Sequence, residues 1–531
     1  MRTAIFNPSF VTALLALVLA AGCSSISRVT PADLALRGGR VFTGDPATPW
    51  ASALAVSGED IVAVGTDEEI RRYIGPATRS IALTGRVVVP GINDSLVRLQ
   101  WEPPGVALEI PPDASVEVLL SLIRDAVARA PEGSWIRGEL PASLFEAILG
   151  RTHLDIAAPL RPVRLDLGAN AALLNSSALL EWGIAEGDED PSGGRYGRTV
   201  TGALDGWVFG SPLRAAAHRA AEKISDEVIL GAIRDLEQRA VRLGVTSVQV
   251  VSSIPSEMLE PLLSEFAPAI RWRVIESALH DGGEHAERAS RVVLDGSPVD
   301  RGSALSRPYA DEPGETGVLA LTREEIATIV RDAAHGTEQL LVQASGDAAV
   351  ASLLIAMADV DDADWPARRL RLEQNDLMSE EQTEAVAGLG IVVVQSPSHF
   401  PDSRIAEARF GAERRGGVGR LRSLLGSDVS LALGSGGSVD PWRNVMLAAM
   451  HPANSQEALT REEAVAAHTR GSAFAEFEEA RKGTIGPGMA ADFTVLSQDV
   501  FTVALEALSK TRSELTVVGG EIVWEEGGEG E

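Results

Sequence analysis

Short apolar runs broken by polar residues and glycines fill both ends of the chain. Between Asp33 and Val89, "DLALRGGRVFTG" reverses around Gly38-Gly39, "ALAVSGEDIVAVG" around Gly58, and "SIALTGRVVVPG" supplies a third pair. Each segment predicts two strands joined at a glycine turn. Toward the other end, "ADFTVLSQD" and "LTVVGGEIVW" predict further strands, the latter with Gly519-Gly520 as its turn. Neither end has enough strands to bury a core alone. Together they predict one small β-sandwich, over residues 33–90 and 485–527.

Residues 91–484 alternate apolar strands with helical periods, as a parallel α/β fold does. Helical spacing marks "SVEVLLSLIRDAVARA", "SDEVILGAIRDLEQRAVRLG", "TREEIATIVRDAAHG" and "SEEQTEAVAGLG"; strands are expected at "VTSVQVV", "QLLVQAS", "IVVVQS" and "VSLALGS". Thr322 with Glu325 and Ser379 with Gln382 have the spacing of capping boxes. Residues from about 104 to 225 are less regular and broken by prolines, which predicts an insertion lying over the mouth of the α/β unit as a lid.

At 531 residues the chain exceeds one minimal domain. A formal net charge of −28 argues against nucleic acid as a partner, since phosphate binding needs clustered Lys and Arg. The single cysteine excludes an intramolecular disulfide framework and makes its position informative. Cys23 follows a basic residue, Arg2, an apolar run from Val11 to Ala20, and the small residues Ala20-Ala21-Gly22. This is the layout of a secretory signal peptide over residues 1–23. The string Leu19-Ala20-Ala21-Gly22-Cys23 resembles a bacterial lipobox, in which the cysteine is acylated and becomes the N-terminus. With Ser24 following it, the resemblance implies a lipid-anchored envelope protein at the periplasmic face of the outer membrane.

Several stretches in shared order resemble amidohydrolase family 3, the branch that includes N-substituted formamide deformylase. They include "GRVVVPGIND", "RPVRLDLGANAALLNSSAL", "DGSPVDRGSAL", "PYADEPGETGVL", "VDPWRNVMLAAMHPAN" and "KGTIGPGMAADFTVLSQD". The resemblance implies a distorted (β/α)8 barrel, the metal-dependent hydrolase fold, plus a β-sandwich built from both chain ends. Active members hydrolyse non-peptide carbon–nitrogen bonds with zinc or another divalent metal. Their catalytic groups stand at the C-terminal ends of the barrel strands.

The positions that carry this chemistry in the family differ here. The His-x-His closing the first barrel strand is Leu96 and Arg98; leucine has no lone pair to donate, and a guanidinium is no acceptor. Asp295-Gly296-Ser297 aligns Arg291 with a lysine that can be carboxylated. Histidines of two further motifs are replaced by Gln343 and Gln374, and the catalytic aspartate by Gly436. A motif usually ending in histidine reads Gly168-Ala169-Asn170. The resemblance therefore implies no metal, no cofactor and a degenerate catalytic centre. Arg98, Arg291, Glu373, Asp347 and His399 remain as candidate binding residues. His218, His335 and His468 are expected to be solvated, and His451 to hold a loop.

Two readings of the vacated centre stay open. Asp94, Asp347 or Glu373 closes a salt-bridge plug with Arg98 and Arg291, or these arginines grip the carboxylate of a small-molecule ligand. At the level of function, the expectation is a protein that binds a small molecule or a partner protein; the alternative is an active hydrolase of non-peptide carbon–nitrogen bonds that uses atypical ligands such as Asp94, Asp347, Glu373 and His399, or no metal.

Overall fold

The computed structural model describes residues 30–527 except 100–102, 169 and 279–289. The signal-peptide and lipobox assignments, Cys23 included, and Ala169 lie outside the described residues.

The middle of the chain supplies the strands β1 (Ile92–Leu99), β2 (Val245–Ser252), β3 (Arg271–Ile275), β4 (Arg291–Val293), β5 (Leu341–Gln343), β6 (Arg371–Glu373), β7 (Val392–Gln395) and β8 (Leu431–Leu433). Parallel ladders join β1 to β2 to β3, and β4 through β8 in succession. Two seams bring these sheets together. Gly436 N–H donates to Leu96 O at 2.7 Å and Arg98 N–H to Gly437 O at 2.9 Å, joining the end of β8 to β1. Arg291 N–H donates to Glu276 O at 3.1 Å and Ala278 N–H to Arg291 O at 2.8 Å, joining the end of β3 to β4. The result is a distorted (β/α)8 barrel.

Alternation along these strands sorts the side chains. Val292, Val342, Leu372, Val393 and Leu433 pack outward among apolar residues of the surrounding helices, such as Ile326, Val350 and Val386. Inward positions divide in two. Leu96, Val251, Ile275, Leu341, Val392, Val394 and Ala432 form an apolar half, while buried Arg291, Gln343, Arg371 and Glu373 make the rest polar. The expected capping boxes form at Thr322/Glu325 and Ser379/Gln382, where helices Arg323–His335 and Glu380–Gly388 begin.

Both chain ends build the sandwich. Strand Phe493–Leu496 pairs antiparallel with Val87–Pro90, which pairs parallel with Arg40–Phe42; a second sheet holds Leu34–Arg37, Ala53–Ser57, Asp60–Gly65 and Arg79–Ala82. Leu36, Leu54, Val88, Phe493 and Val517 pack together in its core. The turns at Gly58 and Gly519-Gly520 close hairpins. Gly38-Gly39 and the third pair do not: Leu34–Arg37 and Arg40–Phe42 lie in different sheets, as do Arg79–Ala82 and Val87–Pro90. Gly38 has φ of +74°, and a Cβ on Gly39 would stand 2.6 Å from Leu83 Cβ, so the pair turns a corner that side chains would block. Two glycines look the same in sequence whether the strands they join pair together or part company.

The insertion between β1 and β2 is more ordered than its sequence implies. It carries a mixed six-stranded sheet from Gly105–Leu108 through Trp135–Glu139, Val163–Leu167, Ala171–Leu174 and Leu204–Gly210 to Gly194–Arg198. Ile123 of helix Val116–Arg129 joins Ile136, Leu165 and Trp207 in a core of its own. Alternation is masked there because charge is buried: the Arg164 guanidinium lies 5.1 Å from the Trp182 ring centre.

Candidate functional site

Arg291, the first residue of β4, meets the side chains that close β5 and β6 inside the barrel. Arg291 Nε donates to Glu373 Oε2 at 2.8 Å, Nη2 to Gln343 Oε1 at 2.6 Å and Nη1 to Ser277 Oγ at 3.1 Å. Arg291 and Glu373 side chains are 1% and 0% exposed, so this ion pair is dry. Strand alternation puts Arg371 on the same face as Glu373, and its Nη2 lies 2.8 Å from Glu373 Oε1. That oxygen nevertheless has no aligned hydrogen-bond donor among the described residues. Arg371 also donates to Gln249 Oε1 and to Ser95 O. Burial alone would raise the Glu373 pKa; the Arg291 and Arg371 charges outweigh it and hold the carboxyl below its ordinary range.

Where β8 meets β1, bulk decides the geometry. Leu96 is fully buried in the apolar half of the barrel. Gly436 has φ of +71°, and a Cβ built on it would come within 2.7 Å of the His399 ring and 2.8 Å of Ser396 Cβ. His399 Nδ1 lies 2.7 Å from Gln374 Nε2. Burial, then the Arg98 and Arg443 charges, push this imidazole down to about 4, so it is neutral at pH 7 and accepts from the Gln374 amide. Asp94 does not reach Arg98. Its carboxylate accepts from Ser435 N–H at 2.7 Å and from Ser435 Oγ, and burial pushes it up to about 6 against those bonds.

Arg98 donates from Nε to Gly436 O at 2.9 Å and forms no ion pair among the described residues. It lines a cavity of about 90 Å³, partly open to solvent, between the barrel mouth and the insertion. Arg214, on insertion helix Ser211–Ala221, lines the same cavity and donates from Nη1 to Asn170 Oδ1 at 3.0 Å. Its buried Nε and Nη2 meet no acceptor among the described residues. Burial, then neighbouring guanidiniums, push Arg98 down to about 9 and Arg214 to about 10; both remain charged at neutral pH.

Several candidates from sequence stand elsewhere or act differently. Asp347 opens helix Asp347–Ala358 and binds Ser306 through its N–H, at 2.9 Å, and its hydroxyl; it pins a loop and does not pair with Arg98 or Arg291. Register explains this: Asp347 lies four residues beyond the end of β5, out of the inward-facing row. Glu373 is sealed between arginines. His399 faces Gly436. His468 is buried rather than solvated, and His218 lines the cavity. His451 does hold a loop, with its ring nitrogens 2.7 Å from Gly419 O and 2.9 Å from Asn454 N.

Sequence reasoning passed over Arg371 and Arg214. The i, i+2 spacing from Arg371 to Glu373 on a strand was a usable signal, whereas nothing local marks Arg214. It also passed over buried acids in the loops after β4 and β6. Asp295 accepts from the N–H groups of Ala304, Ser345 and Gly346 at 2.7–2.8 Å. Among the described residues the Asp376 carboxyl accepts only from Ser345 Oγ, and burial pushes it up to about 8.

Known proteins place this architecture. The amidohydrolase family model matches residues 79–524. The Bacillus subtilis (strain 168) amidohydrolase YtcJ is 27% identical, aligned over 92% of this chain and 98% of its own. N-substituted formamide deformylase of Arthrobacter pascens is 26% identical over 93% and 99%, respectively. The crystal structure of a metal-dependent hydrolase of Pyrococcus horikoshii OT3 superposes with a TM-score of 0.68 at 20% identity, covering 89% of this chain and 99% of that one. Fold and sequence agree: the chain belongs to the amidohydrolase family, family 3.

Proposed function

We propose that this chain is a non-hydrolytic amidohydrolase-family protein that binds a small molecule at the former substrate site, anchored to the cell envelope through an acylated Cys23. The observation that carries the reading is the ion pair at the barrel centre. Arg291, aligned with a metal-bridging lysine, donates to Glu373, Gln343 and Ser277, so permanent cationic charge fills the place of a divalent ion.

The donor set does not fit a catalytic metal. Leu96 and Gly436 offer no ligand atom, Arg98 and Arg291 offer cations, and glutamine is a poor zinc ligand beside histidine. Among the described residues no group of three or more His, Cys, Asp or Glu is placed to hold a metal ion. The side chains that a hydrolase with atypical ligands would need are dispersed: Asp94 is bound to Ser435, Asp347 to Ser306, Glu373 to Arg291 and His399 to Gln374.

Elemental analysis of the purified chain, with a hydrolysis assay on N-substituted formamides, tests the proposal. Neither stoichiometric zinc, manganese or iron nor turnover is expected. Near-equimolar metal that survives dialysis against a chelator, together with formamide cleavage, overturns it.

A further inference from the structure

We propose that the cavity between the barrel and the insertion is a carboxylate site, in which Arg98 and Arg214 grip the anion of a small organic acid from opposite walls. This rests on the binding function proposed above and names its ligand class.

Ion pairing in the cavity is incomplete among the described residues. Arg98, Arg164, Arg214 and Arg291 all line it, and buried Glu373, whose charge is also felt at Arg98, is paired with Arg291 and Arg371. Of the acids in the cavity wall, Asp166 accepts from Arg164 Nε at 2.7 Å. Glu257 and Glu276 form no ion pair with Arg98 or Arg214 among the described residues. Among the described residues, these two guanidiniums are therefore left with neutral hydrogen-bond partners, a backbone carbonyl for Arg98 and the Asn170 amide for Arg214. Buried charge is costly unless answered, and the buried Nε and Nη2 of Arg214 lack an acceptor among the described residues.

The remaining walls describe the rest of the ligand. Leu213, Val251, Ile254 and Val274 line the same space. A carboxylate suits the planar fork of arginine, and these walls suit an apolar body attached to it. A bare inorganic anion would leave them uncovered. Arg98 belongs to the barrel and Arg214 to the insertion, so one ligand ties the two together.

The test is differential scanning fluorimetry with isothermal titration calorimetry on the full-length chain. The probes are isovalerate, phenylacetate, their primary amides and inorganic phosphate. At least one of the two acids should raise the melting temperature in a dose-dependent way, while its uncharged amide does not. Arg98→Gln and Arg214→Gln should each weaken acid binding at least tenfold, with Arg214→Lys intermediate because it keeps the charge and loses the fork. Ligand-free melting of Arg214→Gln should match or exceed wild type, since the substitution removes a buried charge that no ion pair answers among the described residues. Binding unchanged in Arg214→Gln, phosphate matching the acids, or no shift with either acid overturns the carboxylate site. Amides that bind uncleaved where acids do not would sink this inference and leave the binding function standing; cleavage of an amide would sink the binding function itself.

Discussion

Replacing Glu373 with Gln keeps the shape of the barrel centre and removes its one negative charge. Glu373 faces Arg291 Nε at 2.8 Å and Arg371 Nη2 at 2.8 Å, with all three side chains 0–1% exposed. Unit charges about 4 Å apart attract by about 4 kcal/mol at an effective dielectric of about 20, so two such pairs offset much of the desolvation of three ions. Removing one partner of a buried pair strands the others and typically costs about 3–5 kcal/mol. A loss of that size is expected for Glu373→Gln at pH 7, read from urea unfolding followed by circular dichroism. The pH dependence separates charge from packing. Glu373 titrates below its ordinary 4.5 in the folded state, so its contribution is present above 4.5 and lost as pH falls through the folded value. Wild type and variant should therefore converge in acid. A deficit below about 1 kcal/mol at pH 7 would refute the charge argument, as would a deficit that persists below the folded pKa.

Asp376→Asn should act in the opposite sense. Its folded value near 8 lies above the ordinary 3.8, so wild-type stability falls as pH rises between them; the variant should gain about 1–3 kcal/mol at pH 9 and little at pH 4 by urea unfolding. Gly436→Ala should cost about 2–5 kcal/mol from its positive φ and the contact with His399, with part of that loss recovered when His399→Ala is added; equal losses in the single and double variants would show that the ring is not the obstacle. Cys23→Ala should move the protein from the detergent phase to the aqueous phase on Triton X-114 partitioning, since multiple acyl chains anchor firmly; two wholly aqueous proteins would refute the lipid anchor.

Local signals in the chain carried the barrel and sandwich strands. The runs "VTSVQVV", "IVVVQS" and "VSLALGS" became β2, β7 and β8 because a short apolar or alternating run is a property of neighbouring residues. The altered ligand positions were legible in the same way, since a leucine or an arginine cannot donate a lone pair wherever it sits. Partnership was not legible. Whether Arg291 met Asp94, Asp347 or Glu373 depended on strand register, which set Glu373 beside Gln343 across the β5–β6 ladder and left Asp347 on a helix. Arg214 lies more than a hundred residues from Arg98 and reaches the same cavity only because the insertion folds as its own sheet and returns over the barrel mouth. Two glycine pairs, at Gly38 and Gly519, read alike, yet one turns a corner between sheets and the other closes a hairpin. Periodicity and donor chemistry are written residue by residue; which charges share a cavity, and which strands share a sheet, arise from closure of the whole chain.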